Sequence, residues 1–370
     1  MTINDVAAAA GVSRSTVSLV LNKRGRVSDH TRRRVRAAMV DLDYVYDRRA
    51  ANLRHQAAHT IGMVATDIRN SYFAEFSMAV ETVLDEHGLT LFQGYSRDDV
   101  TRQQTLLQQM LEHRVAGLLI LPAAGTTDDD LEAVRGSVQV PHVLISRSVA
   151  GHACDSVTID NRRAGAMATH HLLDHGCSTI AFLGGVRGSS SREDRERGYR
   201  EALRANKIQV RKELIIPAAN TSDGGRDATA TLLERISTSD CDQVDGIVCY
   251  SDFLARGVMS ALAEAGLRVG RDIRLISHDD SSDALTVYPQ LSSVSTHASE
   301  TGRAAATLLV QRVAEPARPI QRIELAPVLV VRASSAPDTH KTRMPPHPLV
   351  DRSTTGDSAE SYRETKEGQP

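Results

Sequence analysis

The chain has 370 residues, 41% of them hydrophobic and 4% aromatic, no tryptophan, and a formal net charge of −2. That length exceeds one ordinary domain and allows a sizeable core, while the near-neutral total by itself carries no nucleic-acid signature. No run of about 18 apolar residues offers a membrane span, and Cys154, Cys177, Cys241 and Cys249 lack the CxxC spacing of a metal ribbon and read as reduced thiols.

The most informative stretch is residues 2–22, TINDVAAAAGVSRSTVSLVLN. Its first half, Asp5-Val6-Ala7-Ala8-Ala9-Ala10, is rich in helix formers. Gly11 lets the chain leave that helix, and Ser13 or Ser15 opens a second one by capping its free amides. Val6, Ala10, Val12, Val17, Val20 and Leu21 recur at helical spacing and pack the two helices together. Arg14, Ser15, Thr16, Ser18, Leu19 and Asn22 are left facing outward. A small polar face on the second helix of such a pair fits a DNA major groove, whereas an ordinary helical hairpin has no need of it.

Charge supports the DNA reading. Residues 1–55 hold eleven Arg and Lys against five Asp, a balance of +6, which leaves −8 for the remainder. A basic block at one end of a mildly acidic chain is the footprint of a DNA-binding head. A third helix follows at Arg32–Leu42, capped by Ser28, with Val35, Ala38, Met39 and Leu42 on its apolar side. Then comes Asp47–Arg54, DRRAANLR, a segment too short to hold a helix alone. Its single leucine, Leu53, among arginines suits a wedge that orders on DNA and enters the minor groove. The plainer alternative is an interdomain linker.

The run DVAAAAGVSRSTVSLVLN, followed by RVSDHTRRRVRAAMVDLDYV and DRRAANLR, resembles the head of the LacI/GalR family of bacterial transcription regulators. The likeness continues over about 60–335. In GVSRSTVSLVLN, SRSVAG, SSSREDRERGY and VCYSDFLARG the chain looks most like the maltose-regulon repressor branch, MalI. The resemblance implies DNA contacts from Ser13, Arg14, Ser15, Thr16, Ser18, Leu19, Asn22, Arg26, Ser28, Thr31 and Tyr44 in the head. It adds Arg48, Ala50 and Leu53 in the hinge. Tyr46 and Asp47 depart from the Pro-Asn pair often found before this hinge.

Beyond the hinge, short apolar runs at Thr60–Ala65, Gly117–Leu121, His142–Ile145, Thr179–Leu183, Gly246–Tyr250 and Ile273–Ser277 predict buried strands. Helical stretches lie at Phe73–His87, Thr101–His113, Arg162–His175, Arg192–Asn206, Gly224–Ile236, Asp252–Ala265 and Ser299–Val313. This alternation predicts an α/β core with parallel sheets and helices on both faces. About 280 residues make two lobes. The family implies two similar lobes, like a periplasmic sugar-binding protein, joined by three crossings near Asp160-Asn161, 290–296 and 318–322. The predicted organisation is therefore a helix-turn-helix DNA-binding domain at 1–46, a hinge helix and linker at 47–58, a two-lobed effector-binding and dimerisation domain at 59–336, and a disordered, proline-containing tail at 337–370. That tail lacks a leucine heptad, so nothing in it points to tetramers.

Ligands in open α/β sheets bind beyond the carboxyl ends of the strands. That rule selects Asp67–Phe73, Arg147, Gly184–Arg195, Ser251-Asp252 and His278-Asp279-Asp280. Aromatics, arginines, hydroxyls and carboxylates of this kind bind sugar hydroxyls and stack on a sugar's apolar face. The family's effector site marks Tyr72, Phe73, Ser191, Arg195 and Asp279. Arg147 stands where many relatives have an acidic or small residue, and its guanidinium hints at an anionic ligand such as a sugar phosphate. For any one of these residues the plainer alternative is a surface ion pair.

No catalytic set emerges. His171 and His175 are four residues apart on one helix face and with His170 read as solvated, without a zinc-protease glutamate. Gly184–Gly188 lacks the Lys-Ser/Thr of a phosphate loop, and Ser189–Ser191 lacks a nucleophile-elbow pattern. No cofactor and no metal is expected. Nothing at the N-terminus resembles a signal peptide, so a cytoplasmic protein is expected. The reading is a non-enzymatic repressor that binds a palindromic double-stranded DNA operator as a homodimer under control of a sugar or sugar phosphate. The alternative is a ligand-sensing module whose basic head meets RNA or another partner. Only Tyr44 and Tyr46 offer stacking surfaces in the head, which favours duplex DNA.

Overall fold

A computed structural model describes residues 1–21, 27–44, 59–135, 140–238 and 243–336. The head comprises α1 (Ile3–Ala9), α2 (Arg14–Leu21) and α3 (Asp29–Asp41). The first starts two residues before Asp5 because Thr2 and Asp5 form a capping box: the Thr2 hydroxyl accepts from the Asp5 amide, and the Asp5 carboxylate accepts from the Thr2 amide at 2.7 Å. Ser13, not Ser15, caps α2, accepting from the Thr16 amide at 3.1 Å. Ser28 caps α3 by accepting from the Thr31 amide, so this helix begins at Asp29 rather than Arg32.

Gly11 has φ +59°, where a side chain is strained. The Arg34 guanidinium donates to the Ala10 carbonyl at 2.6 Å and closes the end of α1. Val6, Ala7, Ala10, Val17, Val20, Val35 and Ala38 form the head's small core, with Val12, Leu21, Met39 and Leu42 packed against it.

The core alternates strand and helix as expected. In chain order the first part runs β1 (Thr60–Ala65), α4 (Ser71–Glu86), β2 (Thr90–Tyr95), α5 (Val100–Glu112), β3 (Gly117–Ile120), α6 (Glu132–Arg135), β4 (His142–Ile145) and β5 (Asp155–Ile159). The second part runs α7 (Asn161–Asp174), β6 (Ile180–Leu183), α8 (Ser190–Ala205), β7 (Ile215–Ile216), α9 (Ser222–Thr238), β8 (Gly246–Cys249), α10 (Asp252–Glu264), β9 (Arg274–Asp279), α11 (Asp283–Thr286) and β10 (Ser292–Ser295). Then α12 (Ala298–Ala314) and β11 (Arg322–Leu325) lead to β12 (Val328–Val330).

The strands make two six-stranded sheets, ordered β11-β5-β4-β3-β1-β2 and β12-β10-β9-β8-β6-β7. The pairings are parallel except that of β12 with β10, which is antiparallel. Each sheet is buried between helices, with separate apolar clusters in the two lobes.

Three crossings join the lobes. The first, at Asp160, falls where the sequence places it. The second follows β10, at Thr296-His297, because α12 packs on the first lobe through Ala298, Ala305 and Leu309. The third lies at Ala326-Pro327 rather than 318–322. The chain first adds β11 to the edge of the first sheet, and the alternating exposed residues of Arg-Ile-Glu-Leu gave no buried apolar run. The lobes touch across the cleft: the Gly125 amide donates to the Gly188 carbonyl at 3.0 Å, the Ser148 amide to the Ser190 hydroxyl at 2.9 Å, and the Ser282 amide to the Glu75 carboxylate at 2.8 Å. Among the described residues, no helix is long and apolar enough to cross a membrane. The predicted hinge helix and the tail lie outside the described residues.

Candidate functional site

The six residues that strand-end position and the family resemblance together mark in the sequence, Tyr72, Phe73, Arg147, Ser191, Arg195 and Asp279, line a single cavity between the lobes. The fold explains why. Tyr72 and Phe73 sit in the first turn of α4, whose free amides are capped by the Asn70 side chain accepting from the Tyr72 amide at 3.1 Å. Arg147 follows β4, Ser191 and Arg195 occupy the start of α8, and Asp279 ends β9. Both sheets thus aim their carboxyl ends at one space.

The first lobe supplies an aromatic wall. Tyr72 and Phe73 meet edge to face with centroids 5.2 Å apart, and the Tyr72 hydroxyl lies 3.3 Å from the Ser146 hydroxyl. Burial pushes the Tyr72 phenol up to about 12, so it enters the site as a neutral donor. The second lobe supplies charge. The Arg195 Nε donates to Asn161 Oδ1 at 2.8 Å, one of its terminal nitrogens donates to the Tyr250 carbonyl, and its plane covers the Tyr250 ring at 4.9 Å. A second terminal nitrogen stands 3.7 Å from the Asp279 carboxylate, an ion pair without a close hydrogen bond.

Asp279 is 8% exposed and has φ +109°, a strained conformation for a non-glycine residue. Burial pushes its carboxyl well above the usual range despite Arg195 pulling the other way, and the buried Asp252 carboxylate adds to the rise. Asp252 is itself held by the Ser293 hydroxyl at 2.7 Å and the Ser281 amide at 2.8 Å. Tyr250 carries the opposite signature. Burial alone would raise its phenol, yet Arg147 and Arg195 together hold it below the usual value. Its hydroxyl lies 2.8 Å from that of Ser191.

Arg147 does not stand free to meet an anion. It is buried and forks onto the Asp98 carboxylate at 2.5 and 3.2 Å, and it donates to the Pro122 carbonyl at 2.9 Å. Its charge is matched within the chain, which removes the main argument for a phosphate. Asp98 and Arg147 are 49 residues apart, so sequence spacing gave no sign of the pair. Asn70, which falls within the selected Asp67–Phe73, also lines the cavity, as do Thr66, Ser146, Asn161, Asn220, Tyr250 and Thr296, which were not singled out as site residues in the sequence. Of these, Thr66, Ser146 and Tyr250 were reachable from the strand-end rule, since they directly follow β1, β4 and β8.

The remaining motifs have local explanations. His171 is buried rather than solvated: its Nε2 lies 2.7 Å from the Ser335 hydroxyl, and His175 Nδ1 donates to the His171 carbonyl at 2.8 Å. The carbonyls of Gly184 and Gly185 accept from Arg192 Nε, so this glycine turn presents carbonyls to a guanidinium of its own chain.

In the head, Arg14 and Ser15 are exposed, Leu19 is 40% exposed, and Thr16 and Ser18 are half-buried on α2. Val17 and Val20 point into the core. Ser13 spends its hydroxyl on the cap, 2.7 and 2.8 Å from those of Ser15 and Thr16. Ser28 and Thr31 stand at the start of α3 with hydroxyls 2.9 Å apart, and Tyr44 packs against the head core. Asn22, Arg26, Arg48, Ala50 and Leu53 lie outside the described residues.

Comparison with known proteins agrees with this division. Residues 2–47 match the model of bacterial regulatory proteins of the lacI family, and residues 169–335 match that of periplasmic binding protein-like domains. The chain is 31% identical over 334 residues to the ribose operon repressor of Escherichia coli (strain K12), covering 90% of this chain and 99% of that protein. It is 29% identical over 333 residues to the HTH-type transcriptional repressor PurR of Pasteurella multocida (strain Pm70), covering 90% and 98%. Among solved structures it is similar to a lac repressor dimer bound to operator and the anti-inducer ONPF, at 26% identity, TM-score 0.76 and coverage of 91% and 99%. It is also similar to a complex of the transcriptional regulator CelR with cellobiose, at 30% identity, TM-score 0.67 and coverage of 90% and 99%. An exposed helix-turn-helix face joined to a two-lobed ligand cleft, with this likeness along nine-tenths of its length, places the chain in the lacI family of bacterial regulatory proteins, as a DNA-binding transcription regulator with a small-molecule-binding core.

Proposed function

We propose that this chain is a cytoplasmic, non-enzymatic repressor that binds a palindromic operator as a homodimer and is switched by a sugar held between its lobes. One observation carries the reading: Tyr72 and Phe73 from the first lobe face Ser191, Arg195 and Asp279 from the second across one cavity. An aromatic wall opposite a guanidinium and a carboxylate matches a ring with one apolar face and several hydroxyls. The neutral sugar is favoured over a sugar phosphate because Arg147 already has Asp98. Little room remains, about 40 Å³. Ligand pockets commonly run to about 300–1,000 Å³, so a sugar must part the lobes or displace Arg195. That coupling of occupancy to lobe angle is what a switch needs, and a ligand shifts the equilibrium only by its differential affinity, typically about 1–3 kcal/mol.

In the head, Arg14, Ser15 and Leu19 read base edges. Ser13, Thr16, Ser18, Asn22, Arg26, Ser28, Thr31 and Tyr44 complete the head's contact set, and Arg48, Ala50 and Leu53 meet the minor groove at the dyad. A two-fold dimer presents two such heads to one palindrome. An apolar face on the first lobe supports dimerisation. Met78 on α4 is 69% exposed and Phe92 on the edge strand β2 is 52% exposed, and Ser77 bonds Gln93 between the two elements. The sequence runs that resemble maltose-regulon repressors favour that branch and an inducing sugar.

Selection of bound duplexes from a random pool, repeated with a panel of sugars, tests the reading. Recovery of a palindrome whose binding one sugar weakens supports it. Equal binding to single-stranded RNA and duplex DNA overturns it in favour of an RNA-contacting head.

A further inference from the structure

We propose that His142, His152 and Cys154 form a binding site for a divalent transition metal ion, zinc by ligand type, on the edge of the first lobe. His142 opens β4 and Cys154 immediately precedes β5. The parallel register pairs Val143 with Asp155, which sets His142 beside Cys154. The intervening loop folds back through the His152 amide, which donates to the Val149 carbonyl, and returns the His152 ring to the same point. The two ring nitrogens and the sulfur all lie within 4.8 Å of one another, and Cys154 and His152 are buried.

The hydrogen bonds fix what these rings present. His142 Nδ1 lies 2.9 Å from the Val140 carbonyl, and His152 Nδ1 lies 2.7 Å from an Asp128 carboxylate oxygen. A carbonyl and a carboxylate only accept, so each Nδ1 carries its hydrogen. In the neutral rings both Nε2 atoms then bear bare lone pairs, and they face each other at 2.8 Å. Two lone pairs at that separation repel unless a cation lies between them. Asp128 is also bound by Arg135 at 2.9 Å, so its charge is not reserved for an imidazolium. An Nδ1–H held by a carbonyl or carboxylate while Nε2 faces inward is the usual outer shell of a metal-bound histidine.

Two imidazoles and a thiol make a nitrogen–sulfur set that suits zinc. Zinc bonds nitrogen at about 2.0–2.1 Å, so the rings need to separate by only about half an ångström to bracket it. The Cys154 thiol donates to the Asp155 carbonyl at 3.2 Å. On metal binding its proton leaves to solvent and the thiolate becomes the third ligand. His152 and Cys154 also line an open groove of about 630 Å³ with Ser148, Ser156 and Thr158. The groove provides an entry path and room for water as the fourth ligand.

The test uses the full-length chain stripped with a chelator and titrated with Co²⁺ as a spectroscopic probe, then with Zn²⁺ in competition. One Co²⁺ per chain is expected, with the visible bands of a tetrahedral site and a near-ultraviolet thiolate-to-metal band that Zn²⁺ abolishes. Cys154→Ser should lose the thiolate band, and His142→Gln and His152→Gln should each weaken binding at least tenfold, while His175→Gln leaves it intact. Far-ultraviolet circular dichroism checks each fold, and if a variant fails to fold the wild-type stoichiometry and thiolate band decide. Absence of stoichiometric Co²⁺ binding overturns the proposal, as does an unchanged spectrum in folded Cys154→Ser. An imidazolium signal from one ring without metal uptake means a shared proton only and overturns it as well.

Discussion

Replacing Asp279 by asparagine separates ligand sensing from DNA binding. Asp279 ends β9 at φ +109°, and asparagine tolerates positive φ better than alanine does, so Asp279→Asn changes charge with little change in shape. Arg195 keeps Asn161 and the Tyr250 carbonyl as partners, so the variant leaves no orphaned guanidinium. At a pH above the raised range of its carboxyl, what it removes is the anionic acceptor beside Arg195 at 3.7 Å. A hydrogen bond to a charged group contributes about 1.5–3 kcal/mol, which corresponds to roughly 10–150-fold in affinity. In fluorescence anisotropy with a labelled operator, the sugar concentration that half-releases the variant should rise by that factor, while operator affinity without sugar stays at the wild-type value. Full sugar response combined with lost operator binding would make Asp279 a structural residue and refute the placement of the pocket.

Four further outcomes follow from named contacts. Arg14→Ala should relax discrimination at one base pair of each half-site by about 1–3 kcal/mol in competition binding, because a guanidinium reads guanine with two hydrogen bonds; a uniform loss across all sequences would put Arg14 on phosphate. Gly11→Ala forces φ +59° on a residue with a side chain and brings its Cβ to 2.5 Å from an Arg34 terminal nitrogen. The head should lose about 1 kcal/mol or more in thermal unfolding, with the core transition unmoved. Asp155→Asn removes the negative charge shared by Arg312 at 2.8 Å and Arg318 at 2.7 Å, a nearly dry triad, and should destabilise the core by about 3 kcal/mol in urea unfolding. Burial raises the Asp279 carboxyl, with Asp252 and Glu75 adding to the rise and Arg195 and Asn70 opposing it. Acidification through that raised range protonates the group, so sugar affinity should fall as pH falls, and Asp279→Asn should flatten the profile.

Much of the fold was legible because its buried strands are plain apolar runs. β1 and β4 begin and end where Thr60–Ala65 and His142–Ile145 predict. Three of the strands that escaped notice show why. β2 and β11 lie at sheet edges and consist mostly of exposed and half-buried residues. β10, Ser-Ser-Val-Ser, is fully buried but polar, and its hydroxyls are satisfied by groups far along the chain: Ser292 bonds the Arg332 carbonyl and Ser293 the Asp252 carboxylate. No local pattern announces such a strand.

The cleft was legible for the same reason that it is useful. Parallel strands deliver their carboxyl-terminal residues to one end of the sheet, so position nominated the segments Asp67–Phe73, Gly184–Arg195 and His278-Asp279-Asp280, and the family resemblance marked Tyr72, Arg195 and Asp279 within them. Pairings across the fold were not legible. Asp98 neutralising Arg147, Asn161 orienting Arg195, and His142 meeting His152 depend on loop paths that sequence spacing does not encode.

The central claim is that occupancy of the cleft controls the head. The most direct measurement is the affinity of the full-length chain for its selected duplex, taken with and without each sugar of a panel at fixed salt. The account predicts two chains per palindromic duplex and at least one sugar that changes the dissociation constant about 5–150-fold. An affinity that no sugar alters, on a duplex the chain demonstrably prefers, would contradict it.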